Sequence, residues 1–316
     1  MKTKTSNPVI FNLDALFDSQ SSGPASMADK LLQQLGGEAG ELEYRQFPDG
    51  ESYARIASPV NGRDCLLVCS LHDPNPKFLP LIFVAETLRE LGARRLALVA
   101  PYLCYMRQDK RFHSGESLTS RHFASLISRS FDFLITVDPH LHRYHNLDEI
   151  YGLESQALVS AESVAAWILK EVRNPLLLGP DSESEQWVAE VARLADAPFE
   201  VLEKVRSGDL DVEVSVPHVD SYREHTPVLV DDIISSGRTL LQTLEHLKKA
   251  GMQPAVCIGT HGLFGAGAWE LLNESHTQAV VTSNSVPHPS NAIDLAPALA
   301  RGLEEWLKKN APGASD

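Results

Sequence analysis

The sequence predicts an α/β protein of two doubly wound domains, each built on a mostly parallel sheet. Three observations predict it. Short apolar runs at residues 65–71, 96–100, 133–137, 176–178, 228–230, 256–258 and 279–282 alternate with stretches of helical period at 78–91, 118–130, 161–171, 185–194 and 239–250. Strands alternating with helices of that length describe βαβ units. Polar residues gather where the runs stop, at Ala100-Pro101-Tyr102, Val137-Asp138-Pro139-His140, Gly179-Pro180-Asp181, Val230-Asp231-Asp232 and Thr260-His261-Gly262. Carboxyl ends of parallel strands are where such sheets bind ligands. The pattern recurs in both halves, so domains at residues 1–155 and 156–294 are expected to face one cleft, with a helix at 295–310 returning to the first.

Each element has a local reason. The runs at 65–71 and 96–100 are almost wholly apolar, as strands covered on both faces must be. The run at 133–137, Phe-Leu-Ile-Thr-Val, is aromatic and β-branched, the short runs at 228–230, 256–258 and 279–282 carry β-branched residues, and that at 176–178 is all leucine. Between them, apolar residues recur at helical spacing, as at Leu240, Leu241, Leu244 and Leu247.

Composition narrows the function class. A chain of 316 residues fits about two domains. With 43% hydrophobic and 22% charged residues it is neither disordered nor collagen-like. No apolar run approaches the roughly 18 residues of a membrane span, and the first residues lack the apolar stretch of a signal peptide. A net charge of −14 argues against a general nucleic-acid or membrane-surface binder. Cys65, Cys69, Cys104 and Cys257 form no CxxC pair, so buried free thiols and a cytoplasmic location are expected.

The sharpest motif is the segment from Val228 to Leu240, which reads Val-Leu-Val-Asp-Asp-Ile-Ile-Ser-Ser-Gly-Arg-Thr-Leu. A strand delivers Asp231 and Asp232, the small residues Ser235, Ser236 and Gly237 turn the chain, and Arg238 precedes a helix expected from Thr239. Successive N–H groups in such a turn, joined to a helix N-terminus, form a cradle suited to a phosphomonoester. One of the two carboxylates can face sugar hydroxyls or a metal ion. Further along, His142 stands two residues after His140, but no partner at suitable spacing makes a zinc site of the pair. His142 and His145 are read as surface or interface residues.

This segment resembles the phosphoribosyl-pyrophosphate loop of type I phosphoribosyltransferases and of ribose-phosphate pyrophosphokinases. Five further segments stand in the order of the pyrophosphokinase family. They are Phe47-Pro48-Asp49-Gly50-Glu51, Arg107-Gln108-Asp109, Asp138-Pro139-His140, Lys204-Val205-Arg206 and Pro287-His288-Pro289-Ser290-Asn291. The resemblance spans residues 8–307. It implies two phosphoribosyltransferase type I-like domains and transfer of diphosphate from ATP to the anomeric hydroxyl of ribose 5-phosphate, with magnesium. It makes Lys204 and Arg206 catalytic cations on a closing loop, counts His140 as catalytic with them, and places His140, with Asp181, at the metal. Arg107, Gln108 and Asp109 are implied for ATP. Phe47, Asp49 and Glu51 are implied for the adenine of a neighbouring subunit, hence a homodimer or larger assembly. Asp231, Asp232, Ser235, Ser236, Gly237, Arg238 and Thr239 are implied for ribose phosphate.

The chain also departs from the pattern. Glu183 and Glu185 stand where many members have glycines, Ser235 where many have aspartate, and Arg238 where many have a small residue. These departures motivate two alternatives: the same chemistry on another 5-substituted ribose such as ADP-ribose, or a non-catalytic nucleotide-binding regulator.

Overall fold

The computed structural model describes residues 7–18, 26–141, 143–180, 184–206, 212–215, 219–265 and 267–309. Two compact units divide the chain. One comprises Met1–Leu158 with Leu295–Asp316, the other Val159–Asp294.

The first unit holds a six-stranded, all-parallel sheet. Its strands are β1 (Val9–Asn12), β2 (Glu38–Ala39), β5 (Asp64–Val68), β6 (Arg95–Ala100), β7 (Phe133–Val137) and β8 (Glu154–Leu158), in the order β2-β1-β5-β6-β7-β8. Between β2 and β5 the chain makes an antiparallel hairpin of β3 (Leu42–Gln46) and β4 (Ser52–Ile56). The inner strands are buried along their length, the consequence of helices on both faces.

One face is covered by α1 (Met27–Leu35) and α8 (Ala296–Lys309), whose Leu31, Leu299, Leu303 and Trp306 pack on Leu66, Val99, Phe133 and Ile135. The Trp306 ring stacks on Phe133 at 4.9 Å. Ser26 caps α1 by accepting from the Asp29 N–H at 3.1 Å, and Gly36 ends it at φ 62°. The opposite face carries α2 (Pro74–Glu90) and α3 (Thr119–Ser130), which bury Leu81, Val84, Leu88, Phe123 and Ile127.

The second unit repeats this plan. Strands β9 (Pro175–Gly179), β10 (Phe199–Val201), β13 (Thr226–Ile234), β14 (Ala255–Gly262), β15 (Thr277–Ser283) and β16 (Asn291–Ile293) pair in parallel in the order β10-β9-β13-β14-β15-β16. A hairpin of β11 (Glu203–Arg206) and β12 (Val212–Ser215) interrupts the chain before β13, as β3–β4 does before β5. Alternation on β13 serves both faces. Val228 and Val230 meet the helices α4 (Ala161–Glu171) and α5 (Glu185–Leu194), and Leu229 meets α6 (Arg238–Lys249) and α7 (Ala268–Asn273).

Three expectations are corrected. The second helix begins at Pro74, not at residue 78: proline at the first helical position needs no N–H there, so Pro74 starts the helix instead of blocking it. The helix after the serine–glycine turn begins at Arg238, not Thr239. The run at 65–71 is a strand only to Val68, beyond which Ser70 turns to meet Asp14.

All four cysteines are free and buried, and burial raises each thiol's pKa, to about 12 at Cys65 and Cys257. They are inert as nucleophiles. No helix among the described residues is long and apolar enough to cross a membrane.

The amino end of β5, opposite the ligand-binding end, carries a doubled ion pair. Asp64 accepts from Arg94 Nε and Nη2 at 2.8 and 2.5 Å and from Arg95 Nε and Nη2 at 2.9 and 2.6 Å. Burial alone would raise the Asp64 carboxyl, but the hydrogen bonds from Arg95 and Arg94 outweigh it and hold its pKa below the ordinary value. The Arg95 guanidinium also lies over Trp306 at 4.2 Å. Asp64→Ala should therefore cost about 3–5 kcal/mol, the range for removing one partner of a buried pair. Urea unfolding would measure it, and turnover of the folded fraction should stay unchanged.

Candidate active site

The phosphate loop is built where the sequence places it. Strand β13 delivers Asp231 and Asp232, both partly exposed, and Asp231 pairs in register with Gly259 of β14. Ser235 and Ser236 turn the chain, and Gly237 adopts φ 67° immediately before α6. A side chain at Gly237 would meet Leu272 Cδ1 at 3.3 Å on top of an unfavourable φ, so only glycine is free of strain there. No side chain caps α6. Its first-turn N–H groups, including those of Arg238 and Thr239, have no acceptor within the helix and sum with the helix dipole into an anion cradle.

The segment after β14 braces the cradle. Leu263 and Phe264 donate to the Ile234 carbonyl at 2.9 and 3.0 Å, and Gly265 donates to Ser235 O at 2.9 Å. Phe264 is fixed in turn by Trp269 at 5.2 Å and by the His288 ring at 4.3 Å. His288 belongs to a segment the sequence singled out without a role, and its place in the fold is this brace.

Lys204 and Arg206 lie on β11, in register with Val214 and Val212 of β12. The loop that follows, residues 207–211, lies outside the described residues, as do Asp181, Glu183 and His142.

In the first unit the expected ATP residues fall in two places, Arg107, Gln108 and Asp109 after β6, and Phe47, Asp49 and Glu51 on the β3–β4 hairpin. Arg107 is exposed, while Gln108 and Asp109 are partly covered. Gln108 O accepts from Ser120 Oγ at 3.0 Å. Asp109 is tied down: its side chain is only 8% exposed, it accepts from Arg143 Nε at 3.3 Å, and its carbonyl accepts from the Tyr144 hydroxyl at 3.4 Å. These bonds join the segment after β6 to the one after β7. Asp109 thus acquires a positioning role, and Arg143 and Tyr144 acquire one that sequence reading missed.

His140 follows β7 in a tight turn in which its N–H donates to Asp138 O at 2.8 Å. His140 sits at φ 46° and Asp138 at φ 37°, with Tyr105 at 60° after β6. Positive φ in non-glycine residues is uncommon and clusters at functional sites.

Phe47, Asp49 and Glu51 occupy the turn of the β3–β4 hairpin. Phe47 N–H donates to Glu51 O at 2.8 Å, Gly50 sits at φ 91°, and Glu51 N–H donates to Asp49 Oδ1 at 3.2 Å. Phe47 is 39% exposed, with the Arg45 guanidinium 4.4 Å from its ring centre. His145 is exposed.

A buried polar cluster absent from the sequence reading joins the ends of β1 and β5. Asp14 accepts from Ser70 N–H at 2.9 Å and lies 3.8 Å from Lys77 Nζ. Burial raises the Asp14 pKa to about 7, against the opposing pull of Lys77 and the Ser70 N–H. Burial, aided by Lys77, lowers that of His72 to about 4. Because the folded pKa of Asp14 exceeds its unfolded value, the folded state holds the extra proton, and Asp14's own contribution to stability falls as pH rises from about 4 to about 7, opposite in sign to that of His72. The stability difference between the protein and Asp14→Asn should change across that window and level off above it, as thermal melts at several pH values would register.

A doubly wound sheet with a strand–turn–helix phosphate cradle at its carboxyl edge defines a phosphoribosyltransferase-type unit. The family model for the phosphoribosyl transferase domain matches residues 153–298, and that for the N-terminal domain of ribose phosphate pyrophosphokinase matches residues 16–130. The ribose-phosphate pyrophosphokinase of Sulfurisphaera tokodaii is 32% identical over 83% of this chain and 91% of its own length. That of Sulfolobus acidocaldarius is 31% identical over 87% and 96%. The crystal structure of phosphoribosylpyrophosphate synthetase from Mycobacterium smegmatis shares the fold, with a TM-score of 0.81 at 21% identity, over 96% of this chain and all of that one. The chain belongs to the ribose-phosphate pyrophosphokinase family.

Proposed function

We propose that the protein transfers the β,γ-diphosphoryl group of ATP to the anomeric hydroxyl of ribose 5-phosphate, giving phosphoribosyl pyrophosphate and AMP. The observation that carries this reading is the cradle at residues 235–239, with two carboxylates beside it, in a chain of this family. The anomeric hydroxyl oxygen attacks the β-phosphorus and its proton passes to solvent, the bond from the β-phosphorus to the α,β-bridging oxygen breaks, and AMP leaves with that oxygen. Such a reaction asks the protein to align donor and acceptor and to balance developing charge.

The cradle N–H groups of Ser236 to Thr239 hold the 5-phosphate, and Asp231 and Asp232 accept from the ribose hydroxyls. Arg238, exposed at the first helical position, adds a cation beside the sugar phosphate. Arg107 and Gln108 hold ATP, with Asp109 fixing their backbone. Lys204 and Arg206 supply the mobile cations. Magnesium neutralises the phosphates when bound, and His140 and Asp181 are the residues assigned to it. Among the described residues no three potential ligands cluster, and magnesium commonly binds through one or two protein groups plus phosphate oxygens. Phe47, Asp49 and Glu51 complete the ATP site of a neighbouring copy in a homodimer or larger assembly, working in the cytoplasm.

AMP release from ATP with magnesium and ribose 5-phosphate tests the reaction directly, and absence of turnover would refute it. Asp231→Asn should raise the KM for ribose 5-phosphate about 10–100-fold, the worth of a hydrogen bond to a charged acceptor, with little change for ATP. Loss confined to ATP would move the loop to the donor side.

A further inference from the structure

In the first unit the chain leaves β1 toward β2 on one side and toward β5 on the other. The carboxyl ends of β1 and β5 are therefore its topological switch point, where open α/β sheets take their ligands. Of the ATP residues in that unit, Arg107, Gln108 and Asp109 follow β6 instead, and Phe47, Asp49 and Glu51 stand on the turn of the β3–β4 hairpin. At the switch point lies a cavity of about 600 Å3, lined among others by Asp18, Arg45, Gln46, His72, Asp73 and Lys77.

Lys77 is 3% exposed, yet its ammonium is incompletely satisfied. It donates to Ser70 O at 2.8 Å, and the Asp14 carboxylate stands at ion-pair distance, 3.8 Å. Its other near neighbours are the two ring nitrogens of His72, at 3.1 and 3.3 Å. A point almost equidistant from both lies along the lone pair of neither, so the ammonium rests on the ring face. One strong hydrogen bond serves three N–H groups. Asp73 adds a second sign, with φ 44° in a non-glycine residue at the start of α2.

The lining pairs cations with carboxylates. Lys77 and Arg45 suit a phosphate, and the Arg45 guanidinium is fixed over the Phe47 and Tyr53 rings at 4.4 and 4.5 Å. Asp18 and Asp73 would repel a bare anion, but they become acceptors when the anion brings hydroxyl groups. The second unit has the same strand order, and its own switch point, between β9 and β13, is where the phosphate cradle sits.

We propose that the cavity between β1 and β5 is a second sugar-phosphate site, with the phosphate on Lys77 and Arg45 and the sugar hydroxyls on Asp18 and Asp73. The comparison with the second unit rests on the cradle's being the ribose 5-phosphate site.

Titration calorimetry of the full chain with ribose 5-phosphate, without nucleotide, should find two sites per chain. Lys77→Met combined with Asp14→Asn leaves neither buried charge alone. It should abolish one site and keep turnover at saturating substrate. Should circular dichroism show that variant unfolded, Arg45→Met at the exposed hairpin replaces it, with about tenfold weakening expected at the same site. Inorganic phosphate, the competing source of the anion, should bind there at least about tenfold more weakly than ribose 5-phosphate. One site in the unaltered protein, two undiminished sites in the folded variant, or equal binding of inorganic phosphate would overturn the proposal. Asp231→Asn separates the two readings. If it alters neither site the cradle assignment fails, whereas loss of a site in the Lys77 variant stands regardless.

Discussion

Lys204→Ala and Arg206→Ala are each expected to lower turnover about 10²–10³-fold, the typical loss when one preorganised donor is removed from a developing charge. ATP affinity and thermal stability should scarcely move. Both residues stand on a two-stranded hairpin outside the six-stranded sheet, so the core does not depend on them. Interactions that strengthen only in the transition state raise kcat without tightening the ground state. Stopped-assay turnover beside equilibrium nucleotide binding would separate the two quantities. Near-normal turnover in both variants would remove the hairpin from the mechanism.

Mixing should rescue activity that neither variant has alone. Phe47→Ala is inactive through the site it lends to a neighbour, and Lys204→Ala through the site it houses. In a mixed dimer one composite site carries both substitutions and the other neither. Random reassembly of equal amounts makes half the dimers mixed, so about a quarter of full activity should return, as symmetry of the interface dictates. The pure Phe47→Ala protein should melt close to the unaltered one, because a ring 39% exposed gives up far less than the about 3–5 kcal/mol of a core phenylalanine. No recovery despite proven subunit exchange would place Phe47 in its own chain's site.

The central elements were legible because their burial is regular, complete along β7 and confined to one face at helical spacing on α4 and α5. The observed β7, α4 and α5 coincide with the stretches read from the sequence, where apolar spacing has one interpretation. The hairpin β3–β4 left no such trace, since its strands are short and half exposed, with Glu43, Arg45 and Arg55 together on one face. The edge strand β8 hides for the same reason. In the site, the cradle could be read because its parts are contiguous and its glycine obligatory. The positioning of Asp109 could not, as Arg143 lies 34 residues away, and Lys77 reaches Asp14 across 63. Local spacing carries no information about such pairs. A lysine in an apolar helix reads as a solvated charge until the fold encloses it.

The helix α8 has a consequence for the order in which the protein is made. Its Leu299, Leu303 and Trp306 complete the core of the first unit, although the whole second unit precedes it in the chain. During synthesis the second unit emerges with all its strands in hand, while the first still exposes the apolar faces of Phe133 and Ile135. The domain translated last is thus the first able to finish folding, and the domain translated first waits for the final residues, a period in which its open face is a target for chaperones or aggregation.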